Sequence, residues 1–562
     1  MNRTHPLRVR LLTLVALIAL IALAAPALRA QGTATLPPSD LVYGDLDRLS
    51  ELGFLDSVIV GQRPYSRREI GRILRAAREW SNRLGERHVS HLITDLELSI
   101  GDGILRRLET RFSREVDEEP STDAVYSLLE GVSLTAAWTD AERRPFPASH
   151  TRPIEATTGA ILPRRLGTPL TPGFTGDLEL AQRIEPTRWL ALSARERFAY
   201  VNPRDTADSY GTADLLLGSV RARARNVAFS VGREQIAWSQ SQGAGLLFAS
   251  DAPAVDQVSI SSDEPFALPG FLRGLGPTKA TILLADLGAS RVRSHSKLLA
   301  YKVSITPSQS AELGASFMNH FGGEGGASTS FSNRLIDFLP FVDVFRRHNY
   351  ADSTHTLDVD SDKLLGIDGR LRLGGLRGVL LTGEMTIDDF DVHRLQSLLT
   401  GYGSQSFGLA VPRFIAPLLS LELSAKHMGI LTYSHNTLTN GITTRRRLLG
   451  DELGPDSKAF GATLTWEPMS STRLSVEGRS AIYSNAEYAS FYADADSTHY
   501  VVRKVSHTAD ELRDRILAQL LVQSEAGPAL TIRFGAERSR NYLFQGGRRT
   551  GYAAEIALHA ER

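Results

Sequence analysis

Apolar and polar side chains alternate with a period of two along most of the chain after about residue 120. In the clearest segment, Leu216, Val220 and Ala222 fall on one face, and Arg221 and Arg223 fall on the other. Successive side chains of a β-strand point to opposite faces, so this pattern predicts strands with one apolar and one polar face. Similar alternation recurs in residues 190–200, 227–232, 367–373, 379–388, 473–479, 530–534 and 552–559.

Pairs of predicted strands joined by tight turns alternate with long polar connections. This arrangement is typical of transmembrane β-barrels, which have an apolar outer face, a polar interior and long loops at one end. A soluble β-sandwich also alternates, but turns interrupt its strands every 8–12 residues or so. We predict a mainly β protein with a large antiparallel barrel over residues 119–562, which has room for about 16 to 20 strands. Long loops are predicted at residues 139–173, 202–213, 322–362, 390–411 and 484–509.

The periodicity before residue 119 is helical. Leucines spaced three residues apart mark a first short helix, and Ser66 followed by Glu69 forms a capping-box pattern at the start of a second one. We therefore predict a small helical head over residues 31–118. Three arginines near the start of the second helix are expected to dock the head against the barrel mouth as a plug: Arg63, Arg67 and Arg68.

Residues 1–30 have the pattern of a secretory signal peptide. Basic residues precede an apolar run from Leu11 to Ala25, and cleavage after Ala30 is predicted, with Ala27 as the alternative. No later apolar stretch approaches the roughly 20 residues of a transmembrane helix, so passage through a membrane would require a closed barrel. The sequence predicts a barrel in the outer membrane of a Gram-negative-type bacterium, with its head in the periplasm.

The composition argues against several kinds of chemistry. The chain has 63 basic and 63 acidic residues, which gives no support for a nucleic-acid partner. It has no cysteine, which excludes disulfides, thiol nucleophiles and thiolate metal sites. The sequence motifs of zinc hydrolases, serine hydrolases and P-loop enzymes are absent. We expect no catalytic residues, no cofactor and no metal site.

Several sequence blocks, in a fixed order, resemble the capsule assembly Wzi family. They are YGDLDRL at 43–49, RPYSRREI at 63–70, VGREQIAW at 231–238 with GLLFASD at 245–251, ELGA at 312–315 before FGG at 321–323, EMTIDDF at 384–390, and YSH at 433–435 before LGDELGPD at 449–456. Ser239 stands where the family usually has a glycine after the tryptophan. The resemblance implies an 18-stranded outer-membrane barrel that acts as a surface lectin, holds capsular polysaccharide and does not catalyse a reaction.

Arg221, Arg223 and Arg225 form a row of charges on one predicted strand. Alternate residues of a strand lie about 7 Å apart on one face, so the row is a candidate binding face for an acidic polysaccharide. The alternative is a ladder inside the barrel, neutralised by carboxylates of other strands such as Glu384 or Asp388.

Four further residues are candidates for ligand binding. Trp238, which follows Arg233, could stack against a sugar ring, although a barrel tryptophan is more often a membrane-interface residue. Asp388 could serve in acid–base chemistry or pair with arginines of the wall. His435 could contact a ligand, but a lone histidine more often has a structural role.

The leading hypothesis is a non-enzymatic outer-membrane lectin that retains surface polysaccharide through its outer loops. Its expected partners are that polysaccharide, the lipids of the outer membrane and the insertion machinery. A porin-like channel is the first alternative and requires an open polar lumen. An outer-membrane hydrolase or lipid-modifying barrel is the second and requires a cluster of acid, base and nucleophile at one rim.

Overall fold

The computed structural model gives a barrel whose interior holds a helical segment. It describes residues 34–55, 58–86, 94–117, 124–145, 154, 156–158, 161–162, 166, 170–204, 208–240, 245–326, 338, 361–388, 403–435, 438–485, 487–492, 500–506, 508–525 and 527–561. The predicted signal peptide and its cleavage site at Ala30 lie outside the described residues.

The prediction of a large antiparallel barrel is confirmed, with 18 strands in a closed sheet. The sheet closes where residues 553–561 of the last strand pair with residues 131–139 of the first. The strands are β1 Val125–Thr139, β2 Gly173–Thr187, β3 Leu190–Pro203, β4 Tyr210–Ala224, β5 Val227–Glu234, β6 Val255–Ser262, β7 Pro277–Asp286, β8 Lys297–Ser308, β9 Ala311–Phe321, β10 Ser361–Leu373, β11 Val379–Asp388, β12 Gly403–Val411, β13 Leu419–Met428, β14 Ser457–Met469, β15 Thr472–Tyr483, β16 Glu511–Gln523, β17 Ala529–Arg540 and β18 Arg548–Glu561.

The two ends of the barrel differ in the length of their connections. At the end that we call the short-turn end, two residues join β2 to β3, β4 to β5, β8 to β9 and β14 to β15, although 14 residues, 263–276, join β6 to β7. At the opposite, long-connection end lie residues 140–172, 235–254, 429–456 and 484–510. Long and short connections on opposite ends are the arrangement of outer-membrane barrels.

All five predicted loops overlap strand residues. Residues 210–213 begin β4, residues 361–362 begin β10, and residues 144–145 pair with 157–158 outside the barrel sheet. The loop predicted at 390–411 is wrong in its second half, because residues 403–411 form β12 and pair with β11 and β13. Small residues that alternate with apolar ones in this stretch leave a weak pattern, GSQSFGLAV. The loop predicted at 484–509 holds a separate pair, Glu487–Tyr492 with Tyr500–Ser506, outside the barrel sheet.

Side chains of the wall alternate between the lumen and the outside. In β8, Leu298, Ala300 and Lys302 are buried inside the barrel, whereas Val303 points outward and is exposed. Such an outer surface is suited to contact with lipid. Exposed apolar residues that belong to it include Phe198, Ile260, Ile282, Ile367, Phe407, Phe460, Ile516, Phe534 and Ile556.

Among the described residues, four helices precede the barrel: α1 Leu41–Leu52, α2 Arg67–Glu86, α3 Asp95–Arg111 and α4 Ser113–Val116. Local signals define their ends. Gly53 ends α1 in the left-handed conformation, at φ 91°, and Thr94 and Glu97 form a reciprocal capping box at the start of α3. Leucines of α1 pack with apolar residues of α2 and α3 in one core. No helix among the described residues is long and apolar enough to cross a membrane. We call residues 34–117 the head.

Candidate functional site

The head fills the short-turn end of the barrel. Arg107 of α3 donates to the Ser470 carbonyl in the β14–β15 turn at 2.7 Å, and Arg48 of α1 pairs with Glu467 of β14. Arg48 and Glu467 are both buried, so each charge compensates the other. Further contacts around the circumference join Ala34 to Glu185, Gly61 to Glu312, Glu69 to Lys279, Ser50 to Arg370 and Glu97 to Arg413.

The three predicted docking arginines have different partners. Arg67 donates to Glu130 of β1 at 3.0 Å, and Arg68 donates to Glu264 in the β6–β7 connection at 2.6 Å. The guanidinium of Arg63 instead pairs with an aspartate of α1 inside the head. Only the backbone of Arg63 reaches the barrel interior, where its N–H donates at 2.9 Å to a carbonyl of the connection after β5. Arg67 and Arg68 therefore have the geometry that docking requires.

Asp40 links the first helix of the head to the last strand of the barrel. It caps α1 by accepting from the Val42 N–H at 2.9 Å, and both of its oxygens accept from Arg111 at 2.8 Å. Arg111 also reaches Glu561 of β18. Burial by itself raises the pKa of Asp40, but the Arg111 guanidinium outweighs it and holds that pKa well below its ordinary value.

Two connections of the long-connection end fold back into the barrel. Residues 235–254 and 429–456 contact each other there, and the Tyr433 hydroxyl donates to the Leu246 carbonyl. Their apolar side chains pack against the inner wall, so this end of the lumen has a hydrophobic core. The core includes Ile236, Trp238, Leu247, Phe248, Leu283, Ala300, Met318, Leu364, Tyr433, Ile442, Leu449 and Leu453.

A polar network joins this inward connection to the head. Glu384 of β11 accepts from the Ser239 hydroxyl at 2.8 Å and from the Gln240 N–H at 3.0 Å. Glu312 of β9 accepts from the Gln240 side chain at 3.1 Å and from two backbone N–H groups of the head at 2.8 Å each. The segments that enter from the two ends of the barrel thus meet at Glu312.

The arginine row is not an exposed binding face. Arg221 and Arg223 point into the lumen near the short-turn end, where Asp263 bonds Arg221 at 2.8 Å and lies 3.1 Å from Arg223. Both arginines are buried. The neutralising carboxylate therefore comes from the β6–β7 connection, and not from Glu384 as the sequence suggested. Arg225 is exposed in the β4–β5 turn at the same end, with φ 54°.

The other candidate residues do not form one site. Arg233 lies on the outer face of β5, where it pairs with Asp256 at 2.7 Å. Trp238 is buried, with its ring 4.9 Å from that of Phe248, and so serves neither as an exposed sugar platform nor as a membrane-interface residue. Asp388 is buried and inward-facing at the end of β11. His435 is half-buried in the connection after β13.

A cavity of about 680 Å³ remains between the head and the wall. Its lining is rich in charge, with Arg195, Arg370, Arg473 and Arg533 facing acids such as Glu422. Among the residues that the structure describes, no three histidine, aspartate or glutamate side chains gather as a metal site. The cavity is a polar chamber within the lumen on the side of the later strands.

A second group of residues lies exposed at the long-connection end. Arg549 forms a two-bond ion pair with Glu142, at 2.6 and 2.7 Å, and its guanidinium lies 4.9 Å from the Tyr542 ring centre. Hydrogen bonding by Arg549 lowers the pKa of Glu142, and burial raises that of Tyr542. We call Glu142, Tyr542 and Arg549 the rim cluster.

Sequence reasoning did not identify the rim cluster, Glu312 or Asp263. Glu142 comes from the connection after β1, whereas Tyr542 and Arg549 come from the connection before β18 and from the start of β18, about 400 positions later. Each is an ordinary polar residue in its own stretch. A signal for Asp263 existed, because an acid in a connection next to an arginine-rich strand is a candidate partner. Glu312 begins the block ELGA, which carries part of the family resemblance, but nothing in that block indicates that its carboxylate joins the head to an inward connection.

A closed antiparallel barrel with an apolar outer surface, long connections at one end and a largely filled lumen is an outer-membrane β-barrel. The chain belongs to the family of the capsule assembly protein Wzi, whose sequence profile matches residues 149–543.

Two relatives have been compared with the chain. Its fold is similar to that of Wzi of Escherichia coli, an outer-membrane protein involved in group 1 capsule assembly and described as a carbohydrate-binding β-barrel. The TM-score is 0.62 with 15% identity, over 94% of this chain and 99% of that one. The chain is also 31% identical over 121 residues to an uncharacterized 55.8 kDa protein in the cps region of Klebsiella pneumoniae. That match spans 21% of this chain and only 22% of the relative.

Proposed function

We propose that this protein binds a surface polysaccharide at its long-connection end and retains it on the cell, with the head in the periplasm. The observation that carries the proposal is that head and inward connections enter the lumen from opposite ends and meet at Glu312. A barrel filled in this way is suited to holding a polymer at its exposed end rather than to passing it through.

The orientation follows from the connections. Outer-membrane barrels have short turns in the periplasm and longer loops outside, so the rim cluster would face the exterior. Its carboxylate and guanidinium offer paired acceptors and donors to sugar hydroxyls, and Tyr542 adds an aromatic face with a polar tip. A polymer presents many repeats to many barrels, so avidity can exceed single-site affinity by roughly 10²–10⁴.

The relatives support the same class of ligand. The Escherichia coli relative is described as carbohydrate-binding, and the Klebsiella pneumoniae relative lies in a cps region. We infer that the role of this chain is binding without catalysis. Incubation of the purified protein with glycan of its own strain should therefore leave the polymer length unchanged on size-exclusion chromatography.

The test is the distribution of surface polysaccharide between cells and medium. A strain that lacks the chain should produce the same total amount but release most of it into the medium. Restoring the chain with Tyr542→Ala and Arg549→Ala together should leave polysaccharide in the medium, because the rim cluster loses its ring and its guanidinium.

Arg225→Ala is the matched control, because it removes an exposed arginine at the short-turn end. It should retain polysaccharide as the unmodified chain does. Polysaccharide that stays on cells lacking the chain would refute retention as the function. Loss of retention in the Arg225 variant, but not in the rim variant, would refute the assignment to the long-connection end.

A further inference from the structure

Basic side chains gather on the outer face of β14–β18. Lys458, Arg538, Arg540 and Arg548 all point away from the lumen, and all lie within three residues of the ends of their strands at the long-connection end. The outward positions of these five strands near the short-turn end carry no charge. We call these four residues the basic patch.

The basic patch has an excess of positive charge. The only acid that faces outward on β14–β18 is Asp514, which accepts from Ser480 at 2.7 Å and lies 3.5 Å from Arg540. No carboxylate among the described residues pairs with Lys458, Arg538 or Arg548. Four cations and one anion leave a net charge of about +3 on a surface that adjoins lipid.

The same level of the opposite wall is neutral. There Arg233 pairs with Asp256 at 2.7 Å, and Lys297 pairs with Asp286 at 2.7 Å. The unbalanced charge of β14–β18 is therefore not repeated on β5–β8. A general requirement for cations at the membrane boundary would not produce this asymmetry.

An apolar groove adjoins the basic patch on the side of the short-turn end. Its volume is about 850 Å³, and Phe407, Leu423 and Phe460 form its raised sides. Ala462 and Gly478 pair across β14 and β15 and form its floor, and a side chain added at Gly478 would meet no atom within 4 Å. The groove thus has open space bounded by apolar walls.

The basic patch and the groove lie at neighbouring depths along the barrel wall, so that one lipid molecule could contact both. Lys458 and Phe460 are two residues apart on one strand, and so are Phe460 and Ala462, so each step is about 7 Å along the strand. A phosphate held by the patch would leave an acyl chain of the same molecule beside the groove. Cations near a membrane surface attract anionic lipid head groups.

We propose that the basic patch and the groove form a binding site for the phosphorylated glycolipid of the outer leaflet, with its phosphates on the patch and one acyl chain in the groove. This inference rests on the orientation given under the proposed function, because it needs the long-connection end to face outward. It does not depend on polysaccharide binding.

Native mass spectrometry of the purified full-length protein tests the site, with bisphosphorylated lipid A as the probe. One lipid A should stay bound, and dephosphorylated lipid A should bind at least about 20-fold more weakly. Replacing all four cations of the basic patch with alanine should weaken lipid A binding by a similar factor. Gly478→Leu, which fills the groove, should weaken it while the patch remains intact.

Lys297→Ala is the matched control, because Lys297 faces outward at the same level but is paired with Asp286. It should leave lipid A binding unchanged. Equal binding of lipid A with and without phosphates would overturn the proposal, as would equal binding of phosphatidylglycerol. Undiminished binding in the four-alanine variant would overturn it too, even if Gly478→Leu failed to fold. None of these results bears on polysaccharide retention, which has its own assay.

Discussion

Buried arginines paired with carboxylates hold the inner segments of this molecule in place. Arg144, in the connection after β1, is fully buried, with its guanidinium 2.7 Å from Glu511 of β16 and 4.3 Å from the centre of the Tyr483 ring. Sequence alone indicates that such arginines need partners, since an isolated buried charge is costly. It does not indicate which carboxylate is the partner, because that depends on the register of strands far apart in the chain.

Arg144→Ala should lower the free energy of unfolding by about 3 kcal/mol. The change leaves the buried carboxylate of Glu511 with Arg513, 3.9 Å away, and with the Leu543 N–H, 3.2 Å away, but without its closest cation. Urea unfolding in detergent measures the effect. Arg549→Ala breaks an exposed pair instead and should cost less than about 1 kcal/mol. Equal effects of the two variants would contradict a special contribution from the buried pair.

Asp40→Asn should make the docking of α1 less sensitive to acid. Asparagine also caps helices well, so the change removes the charge and little else. Because the folded-state pKa of Asp40 lies below its unfolded value of about 3.9, its ionised form stabilises the head above about pH 4, and the stabilisation is lost as the pH falls further.

Hydrogen exchange of the α1 amides in both proteins checks this at each pH. At pH 6 to 7 the variant should exchange faster, and the ratio of the two rates should shrink below about pH 4. A ratio that stays constant down to pH 3 would show that the charge of Asp40 does not contribute.

At the scale of elements, local signals predicted α1 and the start of α2, but they did not mark α3 or α4 separately. The Ser66 hydroxyl accepts from the Glu69 N–H at 3.2 Å, as the capping pattern indicated, and α1 ends at Gly53. Weak alternation concealed β12, because glycine and serine occupy positions that bulkier residues would have marked. Sequence reasoning missed the inward folding of residues 235–254 and 429–456, although apolar runs at 246–248 and 448–449 within these connections were a signal for burial.

Arg48→Ala combined with Arg107→Ala should loosen the head from the barrel. Each change removes a buried arginine that joins the head to the β14–β15 region, and leaves acids such as Glu467 without a full partner. In planar bilayers the variant should open at least about tenfold more often than the unmodified protein, which should conduct little.

Arg106→Ala is the control for this prediction. Arg106 is exposed, and its ion pair, at 3.6 Å, is with an aspartate of the same helix one turn away. It should behave as the unmodified protein does. A double variant whose head becomes protease-sensitive without any rise in conductance would show that the inward connections close the lumen unaided. A wide conductance in the unmodified protein would favour the porin-like alternative.

At the scale of the whole molecule, closure satisfies the backbone of every strand, which a barrel in lipid requires. Deleting residues 548–562 removes β18 and should prevent closure, because β17 and β1 would be left with unpaired edges. The folded barrel should then lose its heat-dependent shift in gel migration. Deleting residues 487–506, a pair of strands outside the barrel sheet, should preserve that shift. A shift that survives the loss of β18 would mean that a 17-stranded sheet can close.

The sequence by itself determined the class of fold, the number of strands to within a few, and the positions of the main helix ends. These depend on the spacing of apolar residues, with a period of two in strands and of about 3.6 in helices, and on capping residues. Both can be recognised from a few consecutive positions. Only the tertiary structure decided that Asp263 neutralises Arg221 and Arg223 and that Trp238 is buried. It also decided that the head and an inward connection meet at Glu312. Those outcomes depend on contacts between residues many positions apart, which are fixed only when the sheet closes and its register is set.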